Sequence, residues 1–395
     1  MADWTSLHGD LLDLVVVRLP SLDLLRFRAV CASWRAAAAA FTARRGQPRP
    51  DRPWLLLPTD VAADHDQGRL IVCPWAVATL PARLGRVTSR RFVPLGSARG
   101  AIVAADDRGE MHLLDLVTGG RRPLPPVSTL PLVASVEGLQ VQHHGGGVSA
   151  VNVLIQKAVP VPTPWRRGHG PRHLAAEEPA QPVGHGAAGR PRVEKNQRNQ
   201  WATARPGDSA WKSVAPTSIP AVVDVVVHRG QLYANTRYGM MYVFPELHGL
   251  GSASPEIIPS VTRRPSAYVE RSFLVEPPRG ELMQVELLRP VAAAGGEGFV
   301  VRVLDECSET WEETEDIGDA AVLVDATGAV AASTAECPAL RANTVYFAVD
   351  LAGETRVWAY SLAGKHKRIE VVETLPTADG YKPPCFWVTP VYSQP

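Results

Sequence analysis

Two groups of histidines are the first residues whose type could hold a metal ion or move a proton. His143 and His144 run into Gly145–Gly147, and His169, His173 and His185 follow in a stretch rich in Pro, Gly and Arg. Their spacing fits no compact ligand set, and the surrounding Gly and Pro leave the rings unheld, so no metal site is expected. Acidic residues crowd together at Glu306, Glu309, Glu312, Glu313, Glu315, Asp316 and Asp319. Two carboxylates work as acid and base when an apolar pocket shifts one of them. The plainer reading is a solvated loop between strands. Gly295-Gly296-Glu297-Gly298 is too short for a phosphate loop and precedes a strand instead of opening a helix. Five cysteines, Cys31, Cys73, Cys307, Cys337 and Cys385, are scattered without a C-x-x-C pair. Neither a zinc site nor a disulfide framework is signalled, and reduced thiols in the nucleus or cytoplasm are expected. The chain is therefore expected to have no catalytic residue, no metal and no cofactor.

Charge points the same way. The 41 Lys and Arg residues face 40 Asp and Glu, which leaves no global field to draw the chain onto nucleic acid or an anionic membrane. The basic residues between Arg166 and Arg198 come without an ordered aromatic platform for bases. No basic leader opens the chain, and its apolar runs are short and interrupted, as Asp224 interrupts 221–227. None reaches the roughly 20 residues of a membrane-spanning helix. Neither nucleic acid nor membrane is an expected partner.

The elements that position these residues fall into two textures, divided near residue 46. Before it, Leu7, Leu11, Leu14 and Val15 recur at helical spacing, and Leu12, Val16 and Leu19 form a second stripe beside them. Pro20 stops that helix, and Ser21 can cap the next. A second helix carries Leu22, Leu25 and Phe27, and a third repeats Val30, Trp34, Ala38 and Phe41. Three short helices bury little on their own. The first is apolar on more than one face, which implies either a partner or packing on the rest of the chain.

The run Trp4-Thr-Ser-Leu7-His-Gly-Asp10-Leu11-Leu12, then Val16, Arg18-Leu19-Pro20 and 22–35 resembles the F-box motif of plant F-box proteins. The resemblance covers about thirty residues and assigns 3–45 to an F-box. It implies docking on a Skp-type adaptor through Leu7, Leu11, Leu12, Leu19, Leu22, Leu25, Val30 and Trp34. One position departs from the pattern: His8 stands where F-boxes usually carry Pro. Loss of a preset φ there costs a fraction of a kcal/mol up to about one.

After residue 50 short apolar runs alternate with turn residues. Trp54–Leu57, 100–104, 111–114, 231–233, 241–244, 272–275, 281–287, 299–304, 321–324, 344–349 and 355–360 read as strands. Turns such as Asp107-Arg-Gly109 and Pro278-Arg-Gly280 join them. With no interleaved amphipathic helix, an all-β body is expected. Many short strands must close on themselves. At roughly 40–50 residues per blade the length suits a kelch-like propeller of six or seven blades. The stretch 159–199 lacks β alternation and reads as a disordered Pro/Gly/Arg-rich insertion. Trp54, Trp75, Trp211, Trp311, Trp358 and Trp387 sit near strands, where packing between blades is their expected role.

The body, 50–392, resembles the KIB-type β-propeller of plant F-box proteins. The resemblance rests on Leu114-Asp-Leu-Val-Thr-Gly119 with Arg122-Pro-Leu-Pro125, on Arg205–Trp211, Val225–Tyr233, Phe273–Leu282, Trp311 through Val322, and Asn343–Phe347. An F-box before such a body implies a non-catalytic receptor of an SCF-type (cullin–RING) ubiquitin ligase whose propeller binds a target protein. Two alternatives stay open: a propeller enzyme, of hydrolase or sugar-oxidising type, with a helical leader, and a diverged F-box copy without function.

Overall fold

The computed structural model of the chain describes residues 4, 7–19, 21–45, 49–50, 53–57, 69–72, 76–79, 92–98, 100–106, 108–115, 120–131, 157–161, 173–178, 200–213, 222–244, 255–258, 267–277, 280–290, 298–351, 353–364, 369–376, 385–389 and 391–392. Three helices come first: α1 (Gly9–Val16), α2 (Ser21–Val30) and α3 (Ala32–Arg45). Leu12 and Val16 of α1 meet Leu24 and Phe27 of α2 and Ala38 of α3, with Leu7, Leu19, Trp34 and Phe41 packed around them. The alanine run of α3 gives high helix propensity and a slim face on which the other helices can lie close. Phe27 and Trp34 stack with ring centroids 4.4 Å apart. The Trp34 indole N–H donates to the Trp4 carbonyl at 3.0 Å, which ties the start of the chain to α3.

The rest is β structure. Four sheets are regular blades, each an up-and-down run of four consecutive antiparallel strands. Blade I comprises Phe92–Ala98, Ala101–Asp106, Met111–Asp115 and Arg121–Leu124. Blade II comprises Lys157–Val161, His173–Glu178, Gln200–Ala204 and Lys212–Ser213. Blade III comprises Val222–His228, Gln231–Thr236, Met241–Phe244 and Glu256–Ile258. Blade IV comprises Ala267–Val275, Met283–Pro290, Gly298–Asp305 and Thr310–Thr314.

Two further sheets break that pattern. A five-stranded sheet contains Ala320–Val324, Ala329–Ser333, Thr344–Leu351, Glu354–Ser361 and Ile369–Pro376, and its first and third strands pair in parallel. A closing sheet places Phe386–Val388 beside Trp54–Leu57, followed by Arg69–Val72 and Ala76–Thr79. The leading strands of the blades touch in succession, and Phe386–Val388 touches both the five-stranded sheet and the leading strand of blade I.

The expectation of six or seven kelch-like blades is thereby corrected: the propeller has four regular blades. Dividing the length by one blade size assumed that every blade is an unbroken repeat. Instead residues 320–376 form a sheet with a parallel pair, and the closing sheet draws strands from both ends of the body. Of the expected insertion 159–199, residues 159–161 and 173–178 lie on the first two strands of blade II, and the remainder falls outside the described residues.

The apolar cores lie between neighbouring sheets. Val103, Met111 and Leu113 of blade I meet Ala158, Ala202 and Trp211 of blade II. Tyr233 and Val243 of blade III meet Leu274, Leu304 and Trp311 of blade IV. Val285, Phe299 and Val301 of blade IV meet Val322, Val345 and Tyr360, and Leu323, Tyr346 and Val357 meet Leu55 and Trp387 of the closing sheet. Each of the Val, Leu, Met and Phe side chains among them contributes about 1.5–3 kcal/mol by leaving water. Trp54, Trp211, Trp311 and Trp387 are buried, in line with the packing expected of them, Trp358 is half-buried, and Trp75 lies outside the described residues. Gly96 permits the close approach of blades I and II, because a Cβ there would lie 2.3 Å from the Ala158 carbonyl oxygen.

Candidate functional site

Among the described residues, helix α1 of the head leaves three large apolar side chains open, against two each on the strands Thr344–Leu351 (Val349, Leu351) and Ile369–Pro376 (Ile369, Val371). Of the two stripes on α1, the core takes Leu12 and Val16, each 2% exposed. The other stripe faces outward, with Leu11 51%, Leu14 54% and Val15 41% exposed. These three stand at i, i+3 and i+4, so they share one face. Val30, at the end of α2, is 54% exposed, and Trp4 is 65% exposed.

The expected docking residues are thus divided. Leu11 and Val30 are exposed, and Leu7, Leu19 and Trp34 are half-buried against the head core. Leu12 is inside that core. Leu22 and Leu25 lie on α2, but their side chains fall outside the described residues. Leu14 and Val15 were not among the expected contacts, although the helical stripe of α1 already contained both.

His8 is the N-cap of α1, with φ −60° and ψ 143°. Its Nδ1 accepts from the Asp10 backbone N–H at 3.5 Å, the outer limit of a hydrogen bond. Asp10 in the first turn also suits the positive end of the helix dipole.

Of the acidic run between Glu306 and Asp319, Glu306, Glu313, Asp316 and Asp319 make contacts within the fold. Glu312 and Glu313 lie on the outer strand of blade IV, which corrects the expectation of a loop. The strand was hidden because its outward side chains are charged. Glu313 approaches Arg302 at 4.0 Å, and Arg302, 5% exposed, also binds Glu286 at 2.5 Å and Gln284 at 3.5 Å. Asp316 caps its own turn through Gly318 N–H at 2.9 Å, and Asp319 accepts from the Ser333 hydroxyl at 2.6 Å. Glu306 binds the Arg229 guanidinium and lies 3.1 Å from Nε2 of the buried His228. Glu276 stands 3.6 Å from the other nitrogen of that ring.

Three buried groups have displaced titrations. Burial pulls His112 down to about 4, aided by the Arg121 charge. Burial pushes Asp325 up to about 6 against hydrogen bonds from Trp387, Thr327 and Gly328. Burial also raises Tyr233, with the Glu306 carboxylate adding to it. These three sit on different sheets and form no joint site. Among the described residues no group of three His, Cys, Asp or Glu is placed to hold a metal ion. His143, His144, His169 and His185 fall outside the described residues, and His173 lies on blade II. No described helix is long and apolar enough to cross a membrane.

The curated relatives that match are F-box proteins. A putative F-box protein of Arabidopsis thaliana is 32% identical over 144 residues, covering 33% of this chain and 32% of that protein. F-box protein SKIP23 of the same plant is 56% identical over 39 residues, 10% of each chain. The chain thus spans about a third or less of the length of these curated relatives. Among solved structures, a putative 6-phosphogluconolactonase from Bacteroides fragilis aligns with a TM-score of 0.35 at 10% identity, covering 85% of this chain and 97% of that one. The Swd1 beta-propeller domain of Myceliophteria thermophila gives 0.32 at 12%, covering 84% and 90%. Likeness that distant carries no functional argument. The KIB1-4 beta-propeller family model, by contrast, matches residues 77–367. With the F-box pattern on its three leading helices and that match over most of its length, the chain belongs to the plant F-box proteins of the KIB1-4 beta-propeller family.

Proposed function

We propose that the chain is the substrate-recognition subunit of an SCF-type ubiquitin ligase, acting in the nucleus or cytoplasm. The open face of α1 carries this reading: Leu11, Leu14 and Val15 expose a connected apolar strip on a head too small to need it. A Skp-type adaptor would cover that strip together with Val30 and the half-buried Leu7, Leu19 and Trp34. The propeller would hold a target protein, so that a target lysine stays near the ubiquitin thioester. Tethering supplies the rate through effective concentration, and no residue of this chain has to act as acid, base or nucleophile.

The test is co-purification of a Skp-type adaptor with the full chain and with a Leu11→Asp, Leu14→Asp variant. Both positions are solvent-facing, so circular dichroism should stay unchanged. Recovery of the adaptor should fall about tenfold or more, as for paired central interface residues. Undiminished recovery would overturn the docking claim.

A further inference from the structure

The chain carries its positive charge almost entirely as arginine. Of 41 basic residues only six are lysine: Lys157, Lys195, Lys212, Lys365, Lys367 and Lys382. Residues 1–156 contain none, and neither does 213–364. The helical head and blades I, III and IV are therefore without a lysine. Lys212, on the outer strand of blade II, has a side chain 74% exposed.

Arginine is favoured where its planar fork makes paired bonds or is buried. Arg302 is such a case, buried between Glu286 and Gln284. Most of the arginines placed by the structure are not. Arg108, Arg122 and Arg237 are exposed to solvent, and Arg26 makes one contact to Asp23 with its side chain 79% exposed. Lysine would serve the fold equally at such positions, so fold energetics do not account for the choice.

Chemistry separates the two residues. A lysine amine that has lost its proton attacks the carbonyl of a ubiquitin thioester. The C–S bond breaks, an isopeptide C–N bond forms, the thiolate leaves with the carrier enzyme, and the amine's remaining extra proton passes to solvent. An arginine keeps its proton and delocalises its nitrogen lone pairs, so it does not take that part. We infer that the chain is depleted of ubiquitin acceptors across its head and most of its propeller, which shields it from modification in cis while it holds a target beside the thioester. Lys212 is the exposed acceptor left on the described surface. This inference rests on the ligase reading above.

The test reconstitutes the full chain with a Skp-type adaptor, cullin–RING, activating and conjugating enzymes, ubiquitin and ATP. Three chains are compared, each with a lysine-rich tag after residue 395: the natural one, an Arg108→Lys, Arg122→Lys, Arg237→Lys variant, and a Lys212→Arg variant. Modified sites are read by mass spectrometry. Modification of the tag shows that the assembly reaches lysines in cis. The triple variant should then gain ubiquitin within residues 1–392 by about tenfold, the scale that tethering allows. Lys212→Arg should lower the little that the natural chain acquires there, with the other five lysines left in place. An unmodified tag would sink the ligase reading itself, and this inference with it. A modified tag with no gain in the triple variant would leave that reading standing. The arginine excess would then be a bias of composition without consequence.

Discussion

At the scale of single residues, His8 is the position where the chain departs from the pattern of its family. Its φ of −60° is the value that a proline ring imposes. What the histidine adds is one weak cap at 3.5 Å or, when the same Nδ1 carries a proton, an ion pair with Asp10 in its place, the two side chains being 80% and 88% exposed. Exposed pairs of that kind contribute little. His8→Pro keeps the carbonyl that Leu11 and Leu12 use and narrows the unfolded ensemble. The narrowing should outweigh the lost cap. Denaturant titration of the variant should show a gain of about 0.5–1 kcal/mol in the head, and a loss would mean that the cap matters more than its length suggests.

At the scale of elements, α1 shows what periodicity can and cannot decide. Both of its stripes were legible, and so were the helix end before Pro20 and the strands Trp54–Leu57 and Met241–Phe244. Which stripe the core would take was not legible, because both are apolar and only the packing of α2 and α3 chooses between them. Strands Phe92–Ala98 and Lys157–Val161 went unread for a local reason: Pro94, Gly96 and Pro160 break their apolar alternation. Of the exposed apolar residues, Leu11 and Val30 followed from the family pattern, whereas Leu14 and Val15 needed the helix to be seen in its packing. A pair of truncations separates the stripes. Leu12→Ala opens a cavity in a core of few residues and should cost about 2–4 kcal/mol. Leu11→Ala, at a solvent-facing position, should change stability by less than about 0.5 kcal/mol. Hydrogen exchange of the α1–α3 amides reads both, and equal protection loss in the two variants would refute the assignment.

At the scale of the molecule, closure of the propeller depends on a contact between distant parts of the chain. Asp325 sits in the turn of the five-stranded sheet, where one carboxylate oxygen accepts from Thr327 N–H at 2.6 Å and Gly328 N–H at 3.0 Å. The other oxygen accepts from the Trp387 backbone N–H of the closing sheet. Burial raises this acid from an ordinary 3.8 to about 6. Between those values the folded state binds more protons than the unfolded one. Stability drawn from Asp325 is therefore complete below the lower value and is lost as pH rises through about 6. The shift corresponds to about 3 kcal/mol at most. His112 acts in the opposite sense: held down to about 4, it adds stability above its ordinary 6.5 that is lost as pH falls through 4. A difference between two proteins that share His112 removes its slope. Asp325→Asn keeps the turn but turns an amide N–H₂ toward the Trp387 N–H, so the variant carries a constant offset, and only the pH dependence is diagnostic. Thermal unfolding of both proteins from pH 4 to 7.5 should show the natural chain losing ground to the variant as pH rises. A difference that is flat across that range would mean that the closing contact tolerates the ionised carboxylate at no cost.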